Sequence, residues 1–215
     1  MSYSDTITYL FDLQKFGIKL GLSKTTSLLK CLGNPHKKLR CIHIAGSNGK
    51  GSTAAFLLSI LKQSGYKAGL YSSPHLIDFT ERIRINDQPI ERMRVVFLTE
   101  EIKRLCKKHS ILNITFFEFV TALAFKYFEE QEADPVIVEV GMGGRFDATN
   151  VIKPLTSIIT SISLEHQIYL GRTLSEIARE KAGIIKRGVP VICGVQHPKI
   201  KKFIRQTCQS ANAPL

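Results

Sequence analysis

The chain of 215 residues contains no tryptophan, only five cysteines, and far fewer acidic than basic side chains. The cysteines show no paired spacing, and Cys41 and Cys193 fall in predicted buried strands. We therefore interpret them as reduced thiols of a cytoplasmic protein. No apolar run is long enough to span a bilayer, and the N-terminal residues have no apolar signal core. The sequence thus predicts neither a disulfide framework nor a membrane partner.

The charge is strongly basic, with 30 Lys and Arg against 18 Asp and Glu and a net charge of +12. Basic side chains cluster at residues 37–40, 103–108 and 199–205. A nucleic-acid-binding surface usually forms one basic stripe or an aromatic platform, whereas these clusters are scattered. We interpret them as solvated helix faces and loops and predict no nucleic-acid partner. Attraction of polyanions, including nucleotides, is the alternative.

Short apolar segments alternate with helical segments along the whole chain, without repeats or linkers. This order predicts an α/β fold with a mostly parallel sheet and helices on both faces. The predicted strands are 41–45, 67–71, 82–85, 135–140, 156–162 and 190–193. The predicted helices are 4–31, 50–64, 91–108, 115–131, 173–186 and one from about residue 198. We expect residues 1–215 to form one N-terminal domain whose sheet is incomplete at its C-terminal end, since residues 213–215 resemble the approach to another strand.

Residues 41–56, CIHIAGSNGKGSTAAF, combine a short apolar strand, a Gly-rich turn and the start of a helix. This order predicts a phosphate-binding loop, because the backbone N–H groups of the turn and of the helix N-terminus would face an anion. Lys50 would reach a terminal phosphate, and Ser52 or Thr53 would offer a hydroxyl to Mg²⁺.

The match to the standard P-loop is imperfect. Ile44 stands where the first glycine is usual, and Gly51 separates the lysine from the hydroxyl residues. A Gly-rich turn that only lets a helix pack close to a strand is the alternative interpretation.

A carboxylate interrupts a predicted buried strand, since Glu139 lies within VIVEV, residues 136–140. A buried carboxylate is unfavourable unless it is paired or bound to metal. Because the strand ends next to it, Glu139 is expected at the carboxyl edge of the sheet, where α/β proteins bind ligands. We interpret it as a metal ligand, with an ion pair as the alternative.

Two further residues gain interest only from their position. His166 follows the predicted strand 156–162 and would lie at the same edge, although a lone histidine is more often a satisfied or surface residue. Lys181 falls late in the predicted helix 173–186, and its composition alone indicates a surface lysine.

Together these segments resemble the folylpolyglutamate synthase and dihydrofolate synthase family within the Mur ligase superfamily. The matching segments are HIAGSNGKGST (43–53), SSPHLIDFTERIRIN (72–86), TFFEF (115–119), EVGMGGRFDATN (139–150) and SLEHQIYLGRTLSEIAREKAGIIKRGVPV (163–191). They occur in the order and spacing of the family. TFFEF and GGRFDATN favour the folate branch over ligases with a cell-wall substrate.

The resemblance implies an ATP-binding domain of Mur-ligase type and an ATP-dependent amide ligase. ATP would phosphorylate a carboxylate of the substrate, and an amino group would attack the resulting acyl phosphate. The implied substrates are dihydropteroate or folate, glutamate and ATP, with Mg²⁺ as cofactor and a monomer for the full-length enzyme. The sequence does not separate addition of the first glutamate from extension of a glutamate tail.

The resemblance also implies roles for individual residues. The ATP phosphates would bind to Asn48, Gly49, Lys50, Gly51, Ser52 and Thr53. The Mg²⁺ ligands would be Ser52, Ser73, Glu139 and His166. The catalytic residues would be Lys50, His166 and Lys181, the last matching a lysine that is carbamylated in the family. The substrate would contact Leu20, Gly21, Leu22, Arg82, Thr115, Phe116, Phe117, Glu118, Phe146, Asp147 and Ala148.

The chain departs from the family in three small ways and one large one. Glu165 stands where an aspartate usually precedes the metal-site histidine, Gln167 replaces a small polar residue, and Ser47 replaces a threonine. Family members also continue through the rest of the ATP domain and a C-terminal domain that helps to bind the amino acid. The chain alone is therefore expected to be inactive, and a non-catalytic remnant that binds nucleotide or a partner is the alternative.

Overall fold

The computed structural model describes residues 1–19 and 21–215. Its strands form a seven-stranded sheet in the order β4-β3-β2-β5-β1-β6-β7. The strands are β1 (Cys41–Ala45), β2 (Gly69–Tyr71), β3 (Ile83–Ile85), β4 (Gln88–Pro89), β5 (Val136–Glu139), β6 (Thr156–Ile159) and β7 (Val191–Cys193). The helices are α1 (Tyr3–Asp12), α2 (Ser23–Cys31), α3 (Lys50–Gln63), α4 (Arg92–Lys108), α5 (Phe116–Glu130), α6 (Gln167–Leu170), α7 (Leu174–Ala182) and α8 (Pro198–Ser210).

The sheet is mostly parallel, as predicted. β1 pairs in parallel with β5 and β6, β5 with β2, and β6 with β7, whereas the β2–β3 and β3–β4 pairs are antiparallel. Parallel strands end at the same edge of a sheet. The segments that follow β1, β2, β5 and β6 therefore meet along one edge.

Helices cover both faces of the sheet. The alternation of side chains along β5 places Val136 and Val138 in a large cluster with α5, α4, α2 and α1, and Ile137 in a smaller cluster with α3. A third cluster joins α7 and α8 to β7. Within the described part of the chain, no helix is long and apolar enough to cross a membrane.

The helices depart from prediction where a tertiary contact or a turn intervenes. The predicted helix 4–31 is two helices, separated by a 3₁₀ turn at Leu13–Phe16 and by Gly17 with φ of 66°. α7 ends at Ala182 instead of residue 186, where the carbonyl of Glu180 accepts from Arg145 N at 2.7 Å and from Gly183 N at 3.2 Å in place of the next α-helical bond. The short helix α6 was not predicted.

The strands differ from the predicted strands mainly in length. β6 ends at Ile159 instead of residue 162, because residues 160–163 turn to bind the loop after β1. The residues that follow β3 turn back into β4, which pairs antiparallel with β3 and was not predicted. Cys193 is half-buried and not buried as predicted, because β7 is an edge strand of the sheet.

Phe128 on α5 provides a test of the larger core. It is fully buried and packs beneath Gly69 of β2. We expect Phe128→Ala to lower the free energy of unfolding by about 3–5 kcal/mol, because it removes apolar contact and leaves a cavity. Urea unfolding followed by circular dichroism measures the loss. The matched control is Phe56→Ala on α3, whose ring is 72% exposed, and an equal loss in both variants would contradict this packing.

Candidate active site

The loop between β1 and α3 has the geometry of an anion-binding turn. Gly49 caps the N-terminus of α3 with φ of 80°, a left-handed conformation that glycine adopts without strain, and no side chain caps the helix. Gly46 approaches β6 so closely that a Cβ atom would lie 1.8 Å from Thr160 Oγ1. The first backbone N–H groups of α3 therefore remain free for a ligand.

Hydroxyl side chains that follow β6 hold this loop in place. Thr160 Oγ1 donates to Asn48 O at 2.7 Å, and Asn48 N donates to Ser161 Oγ at 2.9 Å. Asn48 Nδ2 donates to Ser163 Oγ at 3.2 Å, and the backbone N–H of Ser163 donates to Ser47 Oγ at 3.0 Å. The sequence analysis did not single out Thr160, Ser161 and Ser163. Their position could have indicated them, because they follow an apolar strand whose carboxyl end lies at the edge where α/β proteins bind ligands.

Lys50 lies in the first turn of α3, beside the loop. Its Nζ donates to Gly46 O at 2.8 Å and to Ser47 O at 3.3 Å. The ammonium group of Lys50 therefore binds two carbonyl oxygens of the loop. A bound phosphate would compete with these oxygens for the ammonium group. Ser52 is exposed and Thr53 is half-buried in the same helical turn.

Glu139 is the last residue of β5, opposite Ile44 of β1. Its side chain is 4% exposed and forms no ion pair with any residue of the described ranges. Ser73 N donates to Glu139 Oε2 at 3.3 Å, and a Cβ atom at Gly51 would lie 3.7 Å from the same oxygen. Burial raises the pKa of this carboxyl group, and the Ser73 N–H and Lys50 oppose the shift. Glu139 thus lies between the start of α3 and the segment after β2.

Lys181 is buried, which corrects the interpretation of it as a surface lysine. It is 1% exposed, and its Nζ lies 2.5 Å from Glu165 Oε1. Burial lowers the pKa of Lys181 although Glu165 opposes the shift. Burial alone would raise the pKa of Glu165, but its bond to Lys181 leaves that pKa below the usual range. The helical pattern alone could not reveal a partner that comes from the loop after β6.

A cavity of about 580 Å³ opens beside this region. Most residues that the resemblance assigned to the substrate line it: Gly21, Arg82, Thr115, Phe116, Phe117, Glu118, Phe146, Asp147 and Ala148. Ser73 and the exposed His166 line it as well. Leu22 is not among its lining residues, and Leu20 lies outside the described residues. Sequence reasoning missed Gln14, Gly17, Ile18, Lys19, Pro74, Gly141 and Met142.

Aromatic rings form much of the cavity wall. Phe116 stacks on Phe11 with ring centroids 5.5 Å apart, and the guanidinium of Arg82 lies 5.2 Å from the Phe116 centroid. Gly21 N donates to Phe146 O at 3.4 Å, which joins the segment before α2 to the loop after β5. The wall is therefore suited to a flat ring system.

Both carboxylates that line the cavity already have internal partners. Glu118 Oε2 accepts from Thr115 N at 2.8 Å and Thr115 Oγ1 at 2.9 Å, forming a capping box at the start of α5. Asp147 accepts from Thr149 N at 3.0 Å and Met142 N at 2.9 Å. Each carboxylate thus shapes the wall, whatever else it contacts.

The predicted metal ligands all come from segments at this edge of the sheet. Among residues 1–19 and 21–215, no three His, Cys, Asp or Glu side chains group together as a metal site. The predicted set supplies two serine hydroxyls, one histidine and Glu139. A buried carboxylate without a cationic partner suits a divalent cation such as Mg²⁺, which also keeps water and phosphate oxygens as ligands.

Comparison with known proteins decides the family. The family model described as Mur ligase middle domain matches residues 44–212, which include the loop, Glu139 and Lys181. The chain belongs to this family. The resemblance read from the motifs is thereby confirmed at the level of the family.

Relatives of this Mur ligase domain include enzymes of folate metabolism. A Bacillus subtilis dihydrofolate synthase/folylpolyglutamate synthase is 43% identical over 217 residues, covering 99% of this chain and 50% of its own length. A Saccharomyces cerevisiae dihydrofolate synthetase is 45% identical over 203 residues, covering 92% of this chain and 47% of its own length. A solved structure described as an FPGS–AMPPCP–folate complex is 38% identical with a TM-score of 0.91, covering 99% of this chain and 53% of that one. The chain spans about half the length of the relatives it matches.

In this Mur ligase domain, the Lys181–Glu165 pair should contribute to stability. While Lys181 is unmodified, we expect Glu165→Gln to lower the free energy of unfolding by about 2–4 kcal/mol at pH 7, because it leaves a buried ammonium without its partner. The lowered pKa of Glu165 means that its contribution is present above the usual glutamate range and is lost as the pH falls through that lowered pKa. Chemical unfolding at a series of pH values measures both effects.

The control removes both charges of the pair. Glu165→Gln combined with Lys181→Met leaves neither charge of this pair, and we expect it to recover most of the lost stability. A single variant as stable as the unaltered chain at pH 7 would contradict the ion pair.

Proposed function

We propose that this chain supplies the nucleotide- and pterin-binding part of an ATP-dependent carbon–nitrogen ligase that joins glutamate to dihydropteroate or folate. The named relatives support this proposal, since they include a dihydrofolate synthetase and a dihydrofolate synthase/folylpolyglutamate synthase. The solved relative described as a complex with AMPPCP and folate supports the pairing of an ATP-type nucleotide with a folate.

One observation carries the proposal most directly. Glu139 contacts the start of α3 on one side and Ser73, which lines the aromatic cavity, on the other. A nucleotide phosphate at α3 and a flat substrate in the cavity would therefore meet beside the same carboxylate. Transfer of a phosphoryl group needs such adjacency, because catalysis of this step is mainly positioning and charge stabilisation.

The chemistry proceeds in two steps. A carboxylate oxygen of the pterin substrate attacks the γ-phosphorus of ATP, the bond to the β–γ bridging oxygen breaks, and ADP leaves. The amino nitrogen of glutamate then attacks the acyl carbon, loses a proton, and expels phosphate as the amide forms. The N–H groups of α3 would hold the phosphates, and Lys50 would neutralise their charge.

The residues Ser52, Ser73, Glu139 and His166 would hold Mg²⁺. When bound, the ion would offset the negative charge that gathers on the transferred phosphoryl group. His166, exposed at the cavity, would complete this ligand set.

Carbamylation of Lys181 is part of the proposal. The reaction adds CO₂ to a neutral amine and releases a proton, and burial favours the neutral amine by lowering the pKa of Lys181. The product is an anion next to Glu165, so a nearby cation would be needed to offset both charges. Mass spectrometry of the native protein with ¹³C-labelled bicarbonate tests the modification.

The isolated chain is expected to bind its ligands without turning over. It spans about half the length of its relatives, and small misplacement of reacting groups strongly slows an acyl transfer. The test pairs calorimetric titration with Mg·ATP and with dihydropteroate against glutamate-dependent ADP release. Binding of neither ligand would overturn the proposal, whereas binding of nucleotide alone would favour the non-catalytic remnant.

Lys50 should act through its charge on the phosphates. We expect Lys50→Ala to weaken ATP binding about ten- to hundredfold, because it removes a charge-assisted hydrogen bond. Calorimetric titration with Mg·ATP measures the change. The matched control is Lys62→Ala in the last turn of the same helix. If both variants bind ATP like the unaltered chain, Lys50 does not serve a phosphate.

Glu139 should act through the metal. We expect Glu139→Gln to weaken ATP binding at least about tenfold when Mg²⁺ is present, since the isosteric amide removes an anionic ligand. Binding measured in excess EDTA should change little, because the volume of the side chain is kept. Equal affinity of both proteins for Mg·ATP would show that this carboxylate is structural.

A further inference from the structure

Arg82 is a buried cation that has no anionic partner in the described parts of the chain. It is 8% exposed, lines the cavity, and lies outside every ion pair found among residues 1–19 and 21–215. The two carboxylates of the cavity, Glu118 and Asp147, bind Thr115 and Thr149 instead. A buried charge without compensation is unfavourable. The guanidinium of Arg82 therefore lacks a compensating anion, which a ligand could supply.

His75 fixes the orientation of this arginine. Arg82 Nε donates to His75 Nδ1 at 2.8 Å. Since a guanidinium can only donate, His75 Nδ1 carries no proton in this contact. The bond occupies the Nε edge of the guanidinium, and the Phe116 ring lies against its face. The two terminal nitrogens remain as a fork for a ligand in the plane of the guanidinium.

The loop that carries His75 is itself held by a carboxylate. Glu81 accepts from the backbone N–H groups of Leu76, Ile77 and Asp78 at 2.9, 3.0 and 2.8 Å. The ring of His75 also lies 6.2 Å from the Phe11 ring and 6.3 Å from the Phe79 ring. His75 does not line the cavity itself, so its effect on a ligand must pass through Arg82.

We propose that His75 is a positioning residue that aims the terminal N–H groups of Arg82 at the carboxylate of the pterin substrate. This inference rests on the proposed function. Arg82 would be the group that distinguishes a pterin with a carboxylate from a neutral pterin. The exposed Lys19 also lines the cavity, but its charge remains solvated. Arg82 is therefore the cation that would bind the carboxylate away from water. Its two terminal nitrogens match the two oxygens of a carboxylate.

The test compares variants at His75 by calorimetric titration with dihydropteroate. His75→Ala should weaken binding about tenfold, whereas His75→Asn should stay within about threefold, since its Oδ1 can accept from Arg82 Nε. Arg82→Lys keeps the charge but loses the planar fork, and it should weaken binding at least as much as His75→Ala. In an Arg82→Met background, His75→Ala should cause no further loss, because the two residues act through one contact.

Each outcome separates the possible explanations. A pterin without the benzoate carboxylate should bind the unaltered chain and His75→Ala equally. Equal losses for the acid and the neutral pterin would overturn the carboxylate assignment. Additive losses in the double variant, or no rescue by His75→Asn, would overturn the positioning role. Failure of the unaltered chain to bind dihydropteroate at all would instead contradict the proposed function.

Discussion

The arrangement of the candidate site depends on one buried carboxylate at the end of a central strand. Glu139 lies on β5, which the sheet places between β2 and β1. The parallel register sets it opposite Ile44, two residues before the Gly-rich loop begins. The carboxylate therefore lies between the Gly-rich loop that follows one neighbouring strand and Ser73, which follows the other. Burial disfavours its charged form, and for this reason we propose a compensating cation at the centre of the sheet edge.

The other segments at this edge of the sheet are also held in place by specific hydrogen bonds. The hydroxyl residues after β6 bind the backbone of the loop, so the geometry of the loop depends on a strand that follows it by more than a hundred residues. The aromatic wall comes from the first turn of α5, where the Thr115–Glu118 capping box fixes the helix start. The Gly-rich loop, the carboxylate and the cavity wall are thus positioned by separate elements that belong to one sheet or pack on it.

The local patterns predicted the parts of the site that depend on short segments. A strand, a Gly-rich turn and a lysine at a helix start follow one another in sequence, and a glutamate within an apolar strand is visible without a structure. Burial of Lys181 was not predictable, because its partner Glu165 comes from the loop after β6. The end of α7 was not predictable either, because the hydrogen bond from Arg145 N to Glu180 O joins residues that are distant in sequence. The two-helix N-terminal segment was missed because Gly17 was not recognised as a break.

We expect phosphates at α3 and the carboxylate of an acid in the cavity to meet beside Glu139. The most direct measurement uses Mn²⁺·ATP and dihydropteroate bound together to the chain, with the proton relaxation of dihydropteroate followed by NMR. Paramagnetic relaxation falls steeply with distance from the metal. We expect the benzoate protons next to the carboxylate to relax faster than the pterin proton, and Glu139→Gln to abolish the difference. Unchanged relaxation in the ternary complex, or a stronger effect on the pterin proton, would contradict this account.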